Sequence, residues 1–232
     1  MDVASTPSSR SPVPNASRID VVVTTEPIAG RARWARVAIS AQLVATVVSL
    51  GAVWTDRSAL IDLRDGFALS QDRIDSIDRL AVVSWIASLL TLIVAAVFFL
   101  RWFSRAYRNV AQWTGTRHGV GWAVGSWFVP FLNLWRPFKI AEEIADGSSH
   151  RDDARTRRMV RVWWALLISS SLIDRVILSR DPRSIDALVM SANLELLSSG
   201  LWILAGVAAT VIIRDVTADQ EVRRRGAGQP VA

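Results

Sequence analysis

The residues of this sequence equipped for chemistry are few, and most sit beside residues that explain them otherwise. The stretch "EEIADGSSHRDD" gathers Glu142, Glu143, Asp146, His150, Asp152 and Asp153, oxygen and imidazole donors that a divalent cation could use. Arginines lie beside them, so a solvated loop of balanced charge is the favoured expectation. "HRD", His150 to Asp152, matches the catalytic loop of kinases, yet no glycine-rich loop, lysine-bearing strand or Asp-Phe-Gly accompanies it. "GVGWAVG", from Gly119, has the wrong spacing for a dinucleotide loop and follows no strand. Asp72, Asp75 and Asp78 suit the N-terminal end of a helix better than an ion site. Asp174 and Arg175 interrupt an apolar run, a place where ionisable groups carry a functional hypothesis. They stand about a turn from the end of that run at Arg180, so they are expected to anchor it by reaching the interface. Cysteine is absent and the two histidines, His118 and His150, have no paired nucleophile. The expectation is a protein that is not an enzyme and that holds no cofactor or metal.

What must position these residues is set by the apolar runs. Nineteen uncharged residues separate Arg36 from Asp56, and twenty-one separate Arg79 from Arg101. Eighteen more lie between Glu195 and Arg214, while "VWWALLISSSLIDRVILS", Val162 to Ser179, is broken by Asp174 and Arg175. At about 1.5 Å of rise per residue, each approaches the roughly 30 Å of a bilayer's hydrocarbon. The fold class expected is all-α integral membrane, with four transmembrane helices over 36–55, 80–101, 160–179 and 195–214 inside a membrane domain of 34–215. Residues 1–33, rich in Ser, Pro and Thr, read as a disordered tail without a cleavable signal, and 216–232 as a C-terminal tail. Ser70 is the expected start of the second helix, with Asp75 and Arg79 as an i,i+4 pair. Small residues at four-residue spacing (Ala41, Ala45, Ser49; Ala87, Thr91, Ala95; Ala205, Ala209) predict close helix contact and allow self-association.

Orientation follows from the basic residues, all arginine but for Lys139. With four spans and both termini cytoplasmic, twenty face inward and seven outward, as expected for a bacterial plasma membrane protein. A net charge of +6 invites a nucleic-acid reading, but the arginines flank apolar runs and form no groove, so no nucleic-acid partner is expected. Lipid, and possible contacts with other membrane proteins, are the partners expected. Gly119 to Trp135 is apolar, yet a fifth crossing there would push seven basic residues outside. Pro130 breaks helical bonding, and Trp122, Trp127, Phe128, Phe131 and Trp135 have the composition of a headgroup-level belt. The prediction is a re-entrant segment over 119–135, entering from the cytoplasm and bending near Pro130. Arg105 and Asn109 share a face at the inner end of the second span, and Asn109 and Asn133 are expected to dock the segment. Pro137 opens a short amphipathic helix over 137–146 on the inner surface, with Phe138, Ala141, Ile144 and Ala145 on one face and Gly147 as its stop.

"FLRWFSRAYRNV", "GWAVGSWFVPFLNLWRPFKIAEEI" and "RVWWALLIS" together resemble the bacterial family called domain of unknown function 4328. The positions that carry the resemblance are Trp102, Arg105, Asn109, Gly121 to Val124, Trp127, Phe128, Pro130, Asn133, Leu134, Pro137, Trp163 and Trp164. It covers roughly residues 35 to 215 and departs after Pro137, where "EEIADGSS" stands in place of a further Trp common in the family. The resemblance implies a polytopic membrane protein and supplies no activity, substrate or cofactor. The function expected is interaction with protein or lipid; the alternative is a small-molecule or ion carrier with its site near the Pro130 bend.

Overall fold

A computed structural model describes residues 27–149 and 154–227 of the chain. The expectations for 1–26, for His150 to Asp153 and for the last five residues lie outside the described residues. Six α-helices follow one another: α1 (Ala29–Arg64), α2 (Gln71–Thr114), the single turn α3 (Trp122–Gly125), α4 (Arg136–Ser148), α5 (Ala154–Leu178) and α6 (Ile185–Ala227). A 3-10 turn, Leu132–Leu134, precedes α4. No strand occurs among the described residues.

Three helices, α1, α2 and α6, are long and apolar enough to cross a membrane. Their best windows reach mean hydropathies of 1.8, 2.5 and 2.1. The 25-residue α5 is less apolar, carrying Asp174, Arg175 and a run of serines beside its tryptophans. All three long helices outrun the apolar segments that announce them. At about 1.5 Å per residue, the 44 residues of α2 span roughly 66 Å, about twice the hydrocarbon thickness. The physical reason is that a charge ends the hydrocarbon contact and not the helix, since Arg, Gln, Glu and Ala all sustain helical backbone. Residues 216–227, expected as tail, therefore continue α6, and α1 begins at Ala29 within the stretch expected to be disordered.

Helix α2 starts where the sequence places it: Ser70 has extended backbone and its hydroxyl accepts from the Arg73 N–H at 3.4 Å. The Asp75 carboxylate is taken by Gln71, and Arg79 bonds the Asp75 carbonyl instead of its side chain.

Helix α1 packs along α2 on one side and α6 on the other, and α6 packs in turn along α5. Small side chains make this possible, though the stripe is partly shifted. Ala41 is exposed, and the buried residues of α1 include Ala35, Ala38, Gln42 and Thr46, while Ala205 and Ala209 of α6 are buried as expected. At Gly206 an added Cβ would lie 2.5 Å from Leu43 Cδ2, so the glycine lets α1 approach closely. Polar groups join α1 to α2: Ser49 Oγ lies 2.7 Å from Ser88 Oγ, and the Thr91 hydroxyl donates to Gln42 Oε1. Such pairs satisfy groups that would otherwise stand unpaired in an apolar setting.

Helix α4 closes one end of the assembly, touching α2, α5 and α6. Its apolar face, Ile140, Ala141, Ile144 and Ala145, is buried against these helices. This corrects the expectation of a helix whose apolar face lies on the membrane surface: that face is already covered by protein. Gly147 is not its stop either. The helix runs one residue past it, through Ser148, and an added Cβ at Gly147 would collide with Val110 Cγ1, so the glycine serves contact with α2.

Candidate functional site: an aromatic and polar junction

A junction forms where the ends of α2 and α6, the start of α5, α4 and the segment 119–135 meet. It has an aromatic layer and a polar layer.

Trp127 sits at the centre of the aromatic layer. It meets Phe99, Phe103 and Trp164 edge-on, at ring-centroid distances of 5.7, 6.1 and 6.1 Å, and Trp163 at 6.3 Å with a tilt. Edge-on contact brings the positive rim of one ring to the negative face of another, so this geometry is attractive beyond burial alone. Beside it, Trp102 is 1% exposed and donates its indole N–H to Thr217 Oγ1 at 3.1 Å, joining α2 to α6. Trp164 donates to the Leu134 carbonyl at 3.1 Å and stacks on Phe138. These contacts fasten the segment around the bend to α2 and α5.

The bend itself is one residue past Pro130. Phe131 has φ 65° and ψ −47°, and the Leu132 N–H donates to the Pro130 carbonyl at 2.8 Å. That is a γ-turn with positive φ, a rare and strained conformation for a residue with a side chain, costing of order 1–3 kcal/mol. Phe131 and its neighbour Phe128 are 76% and 72% exposed, and Leu134 and Trp135 also face outward. The five aromatics read as one belt thus divide: Trp127 is inserted between helices, and Trp122, Phe128, Phe131 and Trp135 are displayed.

The polar layer lies beyond the apolar runs. Gln220 of α6, 1% exposed, accepts from Asn109 Nδ2 at 2.9 Å. Its own amide donates to Ser148 Oγ at 2.8 Å and to the Ala106 carbonyl at 3.1 Å. One side chain therefore ties α2, α4 and α6. Nearby, Glu143 accepts from the Arg117 N–H at 3.2 Å, and its oxygens lie 2.9 Å from His118 Nδ1 and 2.8 Å from the Tyr107 hydroxyl. Burial and the Glu143 hydrogen bond push the Tyr107 pKa up to about 12, so the hydroxyl keeps its proton and stays a donor at any physiological pH. Arg223 donates to the Gly147 carbonyl at 2.8 Å and covers the ring of Trp113. Burial alone would raise the Glu221 carboxyl, but hydrogen bonds from Arg224 and the Ile28 N–H outweigh it and hold its pKa low. That carboxylate joins the start of α1 to the end of α6.

Of the residues singled out from sequence, Arg105, Asn109, Trp127, Pro130, Pro137, Trp163 and Trp164 converge here, Arg105 being 8% exposed and Pro137 buried at the start of α4. Asn133 is a correction. Its side chain makes no hydrogen bond among the described residues, because the tight turn already satisfies the local backbone: its own N–H goes to the Val129 carbonyl. Asn109 is bonded to α6 and not to the segment, so indoles do the docking expected of amides. Asp174 and Arg175 stand apart, exposed in the last turn of α5, with Asp174 accepting from Ser198 Oγ of α6 at 2.5 Å. Gln220, Tyr107, Glu143 and Gly147 were not singled out by sequence for these roles. The signal for Gln220 was present: Ile213, Val216 and Gln220 share one helix face, and the first two are buried.

The chemistry these groups perform for one another is packing and mutual hydrogen bonding, which makes the molecule an all-helical protein of membrane type held by a junction at one end. The family model Domain of unknown function (DUF4328) matches residues 65–218, and the chain belongs to that family. The match spans α2 to most of α6 and leaves α1 outside, so it is narrower at the N-terminal side than the stretch 35–215 over which the resemblance is read. No curated protein and no solved structure matches the chain.

Proposed function

We propose that this is a four-span protein of the bacterial plasma membrane, both termini in the cytoplasm, without enzymatic activity, which works by interaction with lipid or protein. Helix α5 is the third span in chain order, beside α1, α2 and α6, its Asp174 and Arg175 reaching the outer interface from the last turn. Segment 119–135 is the re-entrant element on the cytoplasmic side. The observation that carries the reading is the tip of that segment. A strained γ-turn displays Phe128, Phe131, Leu134 and Trp135 outward, and an aromatic cluster holds the turn rigidly to two helices. An apolar tip at the inner end of the spans suits insertion among headgroups or into a partner's groove. The groups that could perform acid–base work, Tyr107, His118 and Glu143, are engaged with one another.

One observation favours the carrier alternative. Ser126 Oγ and Trp127 Nε1, both buried beside the bend, have no hydrogen-bond partner among the described residues. An unpaired buried donor costs about 1–3 kcal/mol unless something bonds it. Ser126→Ala separates the readings. If Ser126 is a packing residue, the melting temperature of the full chain in detergent stays level or rises. A fall of several degrees would show that the hydroxyl is bonded to a co-purifying molecule, overturning the interaction reading in favour of the carrier.

A further inference from the structure

Between the inner ends of α1 and α6 lies an open groove of about 660 Å3. Arg33, Arg36 and Ser40 line it from α1, and Thr210, Arg214 and Thr217 from α6. Each set follows i, i+3/i+4, i+7 spacing, so two facing stripes present three guanidinium groups and three hydroxyls to one space. Arg33 and Arg36 are exposed and have no carboxylate partner among the described residues. Arg214 bonds Asp215 through Nε at 2.9 Å, which leaves its two terminal nitrogens as donors. Glu221, the acid at the groove's end, is engaged by Arg224 and the Ile28 N–H. The groove's free donors are thus its guanidinium groups and the Ser40 and Thr217 hydroxyls, since Thr210 already donates to the Val207 carbonyl, and its one acid is occupied.

We propose that this groove is a binding site for the phosphate of an anionic phospholipid in the inner leaflet, a phosphatidylglycerol-type headgroup. Planar guanidinium groups match phosphate oxygens in pairs, and the Ser40 and Thr217 hydroxyls supply further donors that a diester accepts. A soluble phosphate has the same recognition chemistry, but the depth of the groove favours lipid. Arg36 and Arg214 are the residues that bound the apolar runs of α1 and α6. About two turns deeper on the same faces, Val44 and Val207 are 65% and 47% exposed, a surface on which acyl chains can lie. Basic residues at this level are attracted to anionic lipid. The leaflet named here rests on the proposed topology; the headgroup chemistry does not.

The test uses the purified full chain in neutral maltoside micelles, with dioleoyl-phosphatidylglycerol, dioleoyl-phosphatidylcholine or inorganic phosphate added, read by melting temperature and by lipid retained in native mass spectrometry. Phosphatidylglycerol should raise the melting temperature and remain bound, while phosphatidylcholine and inorganic phosphate should do neither. Arg33→Gln, Arg36→Gln and Arg214→Gln combined should weaken phosphatidylglycerol retention about tenfold or more and leave the melting temperature in phosphatidylcholine unchanged. The single Arg33→Gln, at an exposed position, gives the same reading in smaller measure if the triple variant accumulates poorly. Equal retention by wild type and variants would overturn the site. An equal response to inorganic phosphate would overturn the lipid assignment. Reversed topology, found separately by surface labelling, would move the site to the outer leaflet without abolishing retention, so the two failures are distinct.

Discussion

Gln220→Ala should destabilise the full chain by roughly 3–5 kcal/mol, the sum of a cavity and of polar groups left without partners. The residue is buried among three helices, and its amide serves Asn109, Ser148 and the Ala106 carbonyl, all in an interior that water does not reach. Asn109 and Ser148 are 2% and 0% exposed, so neither recovers a bond to solvent when Gln220 is truncated. Gln220→Met separates the two contributions: it restores most of the volume and none of the hydrogen bonds, and should recover only part of the loss. Urea unfolding in detergent, followed by tryptophan fluorescence, measures both. A cost below about 0.5 kcal/mol for the alanine variant would mean that the polar layer does not hold the helix ends together.

Trp127→Ala should cost a similar amount, roughly 3–5 kcal/mol, for a different reason. The indole fills the space between α2 and α5 and meets four other rings, so its removal opens an apolar cavity in the aromatic layer that helps hold segment 119–135 to these helices. Its N–H has no partner among the described residues, which makes Trp127→Phe the informative control. The smaller ring loses packing but strands no polar group, so it should cost well under half as much as alanine. Protease sensitivity gives a second measure, since the segment around Arg117 and Arg136 should become cleavable by trypsin in the alanine variant before the rest of the chain. Loss of stability without local cleavage would place the role of Trp127 in the helices alone.

Much of this architecture was legible in the residues, and the parts that were not share a cause. Ser70 could be read as a helix start and Pro137 as a first-turn residue because capping and proline chemistry are local. The apolar runs of α1, α2 and α6 mark membrane-length helices because hydropathy is additive along the chain. The ends of α1, α2 and α6 lie beyond the apolar runs because the edge of such a run reports where hydrocarbon stops, and the backbone continues past it. Gly147 looked like a stop, since nothing local distinguishes a glycine that ends a helix from one that lets Val110 approach. The same limit hid the Gln42 contact with Thr91 and the Gln220 contact with Asn109, each of which joins residues far apart in sequence. Pro130 located the bend to within one residue, whereas the choice of tryptophans over Asn133 as its fastenings depended on tertiary placement.

The four-span arrangement with a re-entrant cytoplasmic segment is tested most directly by single cysteines in this cysteine-free chain. Asp146, exposed on α4, and Ser184, exposed before α6, are suitable positions; Ser148 is not, being buried beneath Gln220. Asp146→Cys and Ser184→Cys, made singly, are treated with a membrane-impermeant maleimide in intact cells and again after lysis. Four spans with cytoplasmic termini predict that Ser184→Cys reacts in intact cells and Asp146→Cys only after lysis. Labelling of Asp146→Cys in intact cells would show that segment 119–135 crosses the membrane, and protection of Ser184→Cys until lysis would show that α5 does not.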